Sequence, residues 1–167
     1  REHSAHSDDI FDGKMQTGAL RIMFLYLGLS ALCLIAYRLC GLGWFDATCH
    51  MFSTVATGGF STRSESIAAF DSAALEWVAI VFMFLSAVSL LLMLRVIRGQ
   101  FHELRRSMEL SAFVSILLLA TSGVMIFVLL SGMVDGLHDL VRGCLFQVMS
   151  ISTTTGFVSE NYVLWPY

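Results

Sequence analysis

Three long uncharged stretches alternate along the chain with two short ones. From Ile22 to Tyr37 no residue is charged, and with its half-polar flanks the stretch runs from about Met15 to Leu42. Trp77–Leu94 and Leu110–Val134 are likewise free of charge. About 20 apolar residues cross the hydrocarbon of a bilayer, so each stretch predicts a spanning helix. Arg38 then falls near a water interface, where its stem can snorkel. The two short segments, Asp46–Ala56 and about Leu140–Ser152, are different. Eleven helical residues rise only about 16 Å, too little to cross. Phe45, Cys49, Phe52 and Ala56 recur at helical spacing, and Asp46 suits the positive N-terminal end of such a helix. Each short segment reads as a re-entrant half-helix followed by an extended return. Irregular backbone at membrane depth requires burial in protein or a wet cavity.

Both half-helices run into the same kind of loop. Phe52-Ser53-Thr54-Val55-Ala56-Thr57-Gly58-Gly59-Phe60-Ser61-Thr62 recurs 97 positions on as Met149-Ser150-Ile151-Ser152-Thr153-Thr154-Thr155-Gly156-Phe157-Val158-Ser159. In that register Ser53 meets Ser150, Thr57 meets Thr154, Gly59 meets Gly156 and Phe60 meets Phe157. The order is span, half-helix, loop, span, basic linker, span, half-helix, loop. It predicts an all-α membrane protein of helix–pore loop–helix repeats, potassium-channel-like, with the two units parallel around one axis. The division is a polar segment 1–14, read as an aperiodic linker; a complete repeat 15–97; a basic linker 98–109; and an incomplete repeat 110–167.

Composition sharpens this. At 56% hydrophobic and 14% charged residues, with a mean hydropathy of +0.74, the chain is not a soluble domain. A single lysine, Lys14, excludes a phosphate-binding loop of the G-x-x-x-x-G-K type, and a net charge of -3 argues against nucleic acid. The absence of an initiator methionine and of a signal peptide suggests an excised piece. Arg95, Arg98, Arg105 and Arg106 cluster after the second span and mark that linker as cytoplasmic, which puts Arg63–Asp71 outside. Trp44, Trp77 and Trp165 then fall at one outer interface, as an aromatic belt requires. Cys33, Cys40, Cys49 and Cys144 lie in or beside apolar segments without C-x-x-C spacing and read as packed thiols. His3 and His6 sit in an acidic tail and are not read as metal ligands.

A Thr/Gly loop without charged side chains suits a monovalent cation filter built from backbone carbonyls. Thr57, Gly58, Thr154 and Thr155 would supply oxygens, with Gly59 and Gly156 relieving the backbone where it turns. The half-helices would aim their negative C-terminal ends, at Ala56 and Thr153, at the cavity. Two other readings stand beside this. A Gly-Gly after a helix is also an ordinary Schellman-type turn, which would leave a non-conducting membrane scaffold or partner-binding subunit. Asp46, His50 and Ser53 follow i, i+4, i+7 spacing and imitate a catalytic triad. Side chains stacked along one helix do not converge on a reacting centre, however. Gln147 and Gly143 replace His50 and Asp46 in the second copy, so no enzyme is expected and His50 reads as polar packing behind the loop.

At Thr54–Thr62, with Phe45-Asp46-Ala47 before and Phe70-Asp71 after, and at Phe146–Phe157 and Trp165-Pro166, the chain resembles the Trk/Ktr/HKT superfamily of cation transporters, most closely its bacterial potassium-uptake subunits. The likeness implies four such repeats in one polypeptide, of which this chain looks like the second and part of the third. It carries the potassium-facing carbonyls onto Thr57, Gly58, Thr154 and Thr155, and the filter glycines onto Gly59 and Gly156. It further implies multi-pass residence in the bacterial cytoplasmic membrane, potassium as the transported ion with no cofactor, a homodimer, and a cytoplasmic nucleotide-binding ring of the TrkA-like kind. The remaining repeats of the parent and membrane lipid are the other partners, and two loops of four do not close a pore.

Overall fold

A computed structural model describes residues 2–130 and 136–159. The described residues are helical, with no strand among them. Helix α1 (Glu2–Leu39) leads into the short α2 (Trp44–Val55). A 3-10 turn (Ser66–Phe70) precedes α3 (Ala73–Ala87), α4 (Leu90–Ile97) and the brief α5 (His102–Arg106). The long α6 (Met108–Leu130) and the half-length α7 (Leu137–Ser152) are the last of the described helices. Trp165 and the rest of the C-terminal stretch lie outside the described residues.

Among the described residues two single helices are long and apolar enough to cross a membrane, Gly18–Leu39 and Met108–Leu130. Both present most of their apolar side chains outward, with Phe24, Leu32, Leu119 and Leu130 well exposed. That is the surface a bilayer covers. The two half-helices end in register: Val55 and Ser152 are equivalent positions, and each is followed by a matching C-cap, Ala56 and Thr153. At 12 and 16 residues they rise about 18 and 24 Å, short of the roughly 30 Å hydrocarbon. The re-entrant reading therefore holds.

Two expectations fail. Residues 2–14 are not an aperiodic linker but the first turns of α1. Once a span has nucleated a helix, each added residue gains a hydrogen bond without a further nucleation cost, so even polar sequence propagates it. The second span is not one helix either. Its uncharged run is broken between α3 and α4, whose axes differ by 98°. Val88 (φ -72°, ψ 137°) and Ser89 (φ -52°, ψ 124°) are extended where a helix needs negative ψ. The break borders a cleft of about 300 Å³ lined by Val88, Ser89, Leu92, Glu109 and Phe113, the setting in which irregular backbone is tolerated.

The core lies where α1, α2, α3 and α7 meet, around Cys33, Tyr37, Met51, Leu75, Ala79, Met83, Phe146 and Phe157. At one end Arg38 donates to the Leu42 carbonyl and lies over the Trp44 ring, 4.6 Å from its centroid. This guanidinium pins the turn that leads from α1 into α2.

Candidate functional site

Both half-helices finish the same way. The Gly58 amide donates to the Ser53 carbonyl at 2.7 Å and the Thr57 amide to Thr54 at 3.2 Å. In the second copy the Thr155 amide reaches Ser150 at 2.9 Å and the Thr154 amide reaches Ile151 at 3.0 Å. These are Schellman caps, with threonine rather than glycine in the left-handed position: Thr57 has φ 51° and Thr154 φ 58°. The turn expected as the bland alternative is therefore present, and it ties up carbonyls of the last helical turn.

The chain does not leave the cap in extended form, as the sequence suggested. A second positive φ follows two residues on, at Gly59 (69°) and Gly156 (84°), while the residues between and after are negative. Thr57-Gly58-Gly59-Phe60 and Thr154-Thr155-Gly156-Phe157 thus share one alternation of sign.

Of the six candidate residues, three meet across the two loops. A Cβ on Gly59 would fall 1.9 Å from the Thr155 carbonyl oxygen and 3.2 Å from the Gly156 carbonyl carbon. A Cβ on Gly58 would meet its own loop, the Phe60 ring at 3.4 Å and the Ser53 oxygen at 3.8 Å, and one on Gly156 would meet nothing within 4 Å. Thr155 is buried, and its hydroxyl donates to Thr153 Oγ1 at 2.8 Å, which itself donates to the Met149 carbonyl. Thr154 is exposed and Thr57 half-buried.

The first loop is anchored on α2 by a small polar network. Thr62 donates to Asp46 Oδ1 at 2.6 Å and Arg63 to Oδ2 at 3.2 Å. The Thr62 hydroxyl foremost, with Arg63 adding, holds the Asp46 carboxyl below its ordinary range. A lowered carboxylate stabilises the fold at pH values above the unfolded value near 4 and loses that contribution as pH falls through the folded value. The melting-temperature gap between the parent and Asp46→Asn is accordingly expected to stay constant from pH 8 to 5 and to shrink below about pH 4. A gap independent of pH throughout would contradict it.

The imitation of a triad dissolves. His50 uses Nδ1 on the Asp46 backbone carbonyl rather than its carboxylate, and Nε2 lies on Ser61, not Ser53. Ser53 Oγ is buried with no hydrogen-bond partner among the described residues. Its equivalent, Ser150, donates to the Phe157 carbonyl at 2.8 Å. The phenylalanines differ in step: Phe157 is 1% exposed and Phe60 81%.

Three features went unread in the sequence. Ser61 is the partner of His50. Val158 is held on both sides by the 3-10 turn, its amide donating to Ser66 Oγ at 3.2 Å and its carbonyl accepting from the Ala68 amide at 3.1 Å. The turn inside the supposed external loop therefore braces the second return. Lastly, Arg142 on α7 pairs with Glu76 on α3 at 2.8 Å and with Asp139 at 2.8 Å. A lone charge inside a half-helix was the available signal, since such residues are costly unless paired.

The family described as "TrkH: Cation transport protein" matches residues 3–166. The Trk system potassium uptake protein TrkH of Halomonas elongata is 36% identical over 151 residues, 89% of this chain and 31% of that protein. The Trk system potassium uptake protein TrkG of Escherichia coli strain K12 is 36% identical over 163 residues, 95% of this chain and 33% of its own. Among solved structures, that of the potassium transporter TrkH from Vibrio parahaemolyticus superposes with a TM-score of 0.87 at 32% identity, covering 92% of this chain and 33% of the other. The chain spans about a third of the length of these relatives.

Proposed function

The chain belongs to the TrkH family of cation transport proteins, and from that premise we propose that it is part of the pore-forming subunit of a potassium-uptake system in the bacterial cytoplasmic membrane. Potassium is the cargo. Carbonyls of Thr57, Gly58, Thr154 and Thr155 replace part of its water shell, and Gly59 and Gly156 give the loops their bends. The observation that carries this reading is the repeated alternation of φ sign in the two loops. In an extended strand successive carbonyls point to opposite sides, whereas residues alternating between right- and left-handed φ turn successive peptide planes the same way. A structural turn needs one left-handed residue after the helix. The second one, at Gly59 and Gly156, supports an ion-lining loop over the scaffold reading.

Two such loops form half of a four-part ring, which the remaining repeats of the parent complete. The parent acts as a homodimer, and the basic linker from Arg95 to Arg106 faces lipid headgroups and a nucleotide-binding regulatory ring on the cytoplasmic side.

Rubidium uptake by potassium-limited cells with the parent as sole uptake system tests the reading. Gly156→Ser is expected to erode discrimination against sodium at unchanged membrane abundance, and the exposed Ser64→Ala to leave it intact. Unaltered discrimination in Gly156→Ser and in Gly59→Ala would return the loops to ordinary turns. Sidedness has its own check, after replacement of the four cysteines. An impermeant thiol reagent should label Ser64→Cys and spare Arg98→Cys in intact cells; the opposite pattern inverts the topology.

A further inference from the structure

One buried side chain touches the returns of both loops. His50 is fully buried on α2. Its Nδ1 lies 2.7 Å from the Asp46 carbonyl oxygen, which only accepts, so Nδ1 carries the proton. In the neutral ring Nε2, 2.9 Å from Ser61 Oγ, is then an acceptor and the serine hydroxyl donates to it. Ser61 Oγ in turn accepts from the Arg63 amide at 3.1 Å. These three bonds leave the histidine one tautomer and one ring orientation.

The ring face is used as fully as its edge. Phe157, two residues beyond Thr155 and next to Gly156, stacks on it at 5.9 Å with an interplanar angle of 29°. Phe70 meets it edge-on at 5.3 Å and Tyr37 at 6.5 Å. Tyr37 is itself fixed, its hydroxyl donating to Thr54 Oγ1 at 2.6 Å while Thr54 donates to the His50 carbonyl. The first return is therefore held to the imidazole by a hydrogen bond and the second by stacking. Between these anchors the loops approach until Gly59 abuts the Thr155 carbonyl. In the second unit the equivalent residue, Gln147, reaches Ser159 Oγ with its amide at 3.5 Å, a longer bond made by a side chain without an aromatic face.

We infer that His50 is a positioning residue: it sets the separation and register of the two loops, and through them the ion preference, without touching the ion. The inference rests on the ion-lining reading of the loops. It follows from the logic of outer partners that orient inner ligands, whose removal costs about 10- to 100-fold in affinity or activity. It requires the hydrogen bond and the stack to act on one rigid ring, and every hydrogen-bonding position of the imidazole is occupied.

The test uses the full-length parent, with rubidium uptake under sodium competition and membrane abundance measured together. His50→Leu fills the space but cannot bond Ser61; it is expected to lower preference for rubidium over sodium by about 10- to 100-fold. Ser61→Ala, which removes only the partner hydroxyl from a half-buried site, should shift preference in the same direction at normal abundance. His50→Gln, which carries the side chain used in the second unit, should recover most of what His50→Leu loses. Parental preference in Ser61→Ala overturns the inference, and this variant decides the matter if His50→Leu fails to accumulate. Parental preference in His50→Leu at normal abundance also overturns it. If Gly59→Ala or Gly156→Ser still shifts preference in that case, the ion-lining reading stands and only the positioning role falls. If neither glycine variant does, the ion-lining reading falls as well.

Discussion

Replacing Gly59 by alanine in the full-length parent is expected to damage ion discrimination more than any other single methyl group added to these loops. The added Cβ would fall 1.9 Å from the Thr155 carbonyl oxygen, and real Cβ contacts essentially never lie under 3.0 Å. One of the two loops must therefore move by more than about 1 Å, a displacement that can cost about 100-fold where reacting groups must be placed accurately. The obstacle is backbone, so no side chain can rotate away. Positive φ adds about 1–2 kcal/mol of strain for an L-residue. Gly156→Ala shares the strain, at φ 84°, but meets no atom within 4 Å. Its effect should be about tenfold smaller, as strain alone of roughly 1–3 kcal/mol allows. Rubidium uptake against increasing sodium gives both numbers from one assay. Equal defects in the two variants would show that the approach of the loops carries no functional weight.

The second large effect is expected in stability. Glu76 and Arg142 join α3 to α7 with side chains 9% and 16% exposed. Removing one member of a buried ion pair costs about 3–5 kcal/mol, because the other loses the charge that neutralised it. Arg142→Leu should therefore lower both membrane abundance and the melting temperature in detergent. The double variant, Glu76→Leu with Arg142→Leu, should regain part of the loss, as apolar replacements of buried pairs commonly do. Full abundance and an unchanged melting temperature for Arg142→Leu would show that this ion pair contributes nothing to holding the two units together.

Much of this fold was legible because membranes impose lengths. A short apolar segment closed by Trp44-Phe45 and Gly58-Gly59 has no other place than a re-entrant one, and α2 ends where that reading put it. The loops were legible through duplication, and five of their positions share cap geometry and φ sign. The break at Val88-Ser89 was not. It carries neither proline nor glycine, and an uncharged run looks the same whether its helix is straight or bent by 98°. The roles of His50 and Arg142 were hidden for another reason. Spacing along one helix cannot reveal partners such as Ser61, Phe157 and Glu76, which tertiary packing brings from other segments. Equal glycines in an alignment of the two copies likewise give no hint that only Gly59 faces a neighbouring backbone.

The two phenylalanines have one more consequence. Phe157 of the second unit is finished by the first, through His50, and its carbonyl accepts from Ser150. Among the described residues Phe60 has no such host and Ser53 no such bond. The contact between units is therefore heterologous, head to tail, and each copy added in this sense leaves one unmatched head. Contacts of that kind either wind on indefinitely or close into a ring when the rotation per unit divides a full turn. In the four-repeat ring proposed above, closure would offer Phe60 a host of its own. The same geometry that orders two loops against each other thus gives the pair a direction.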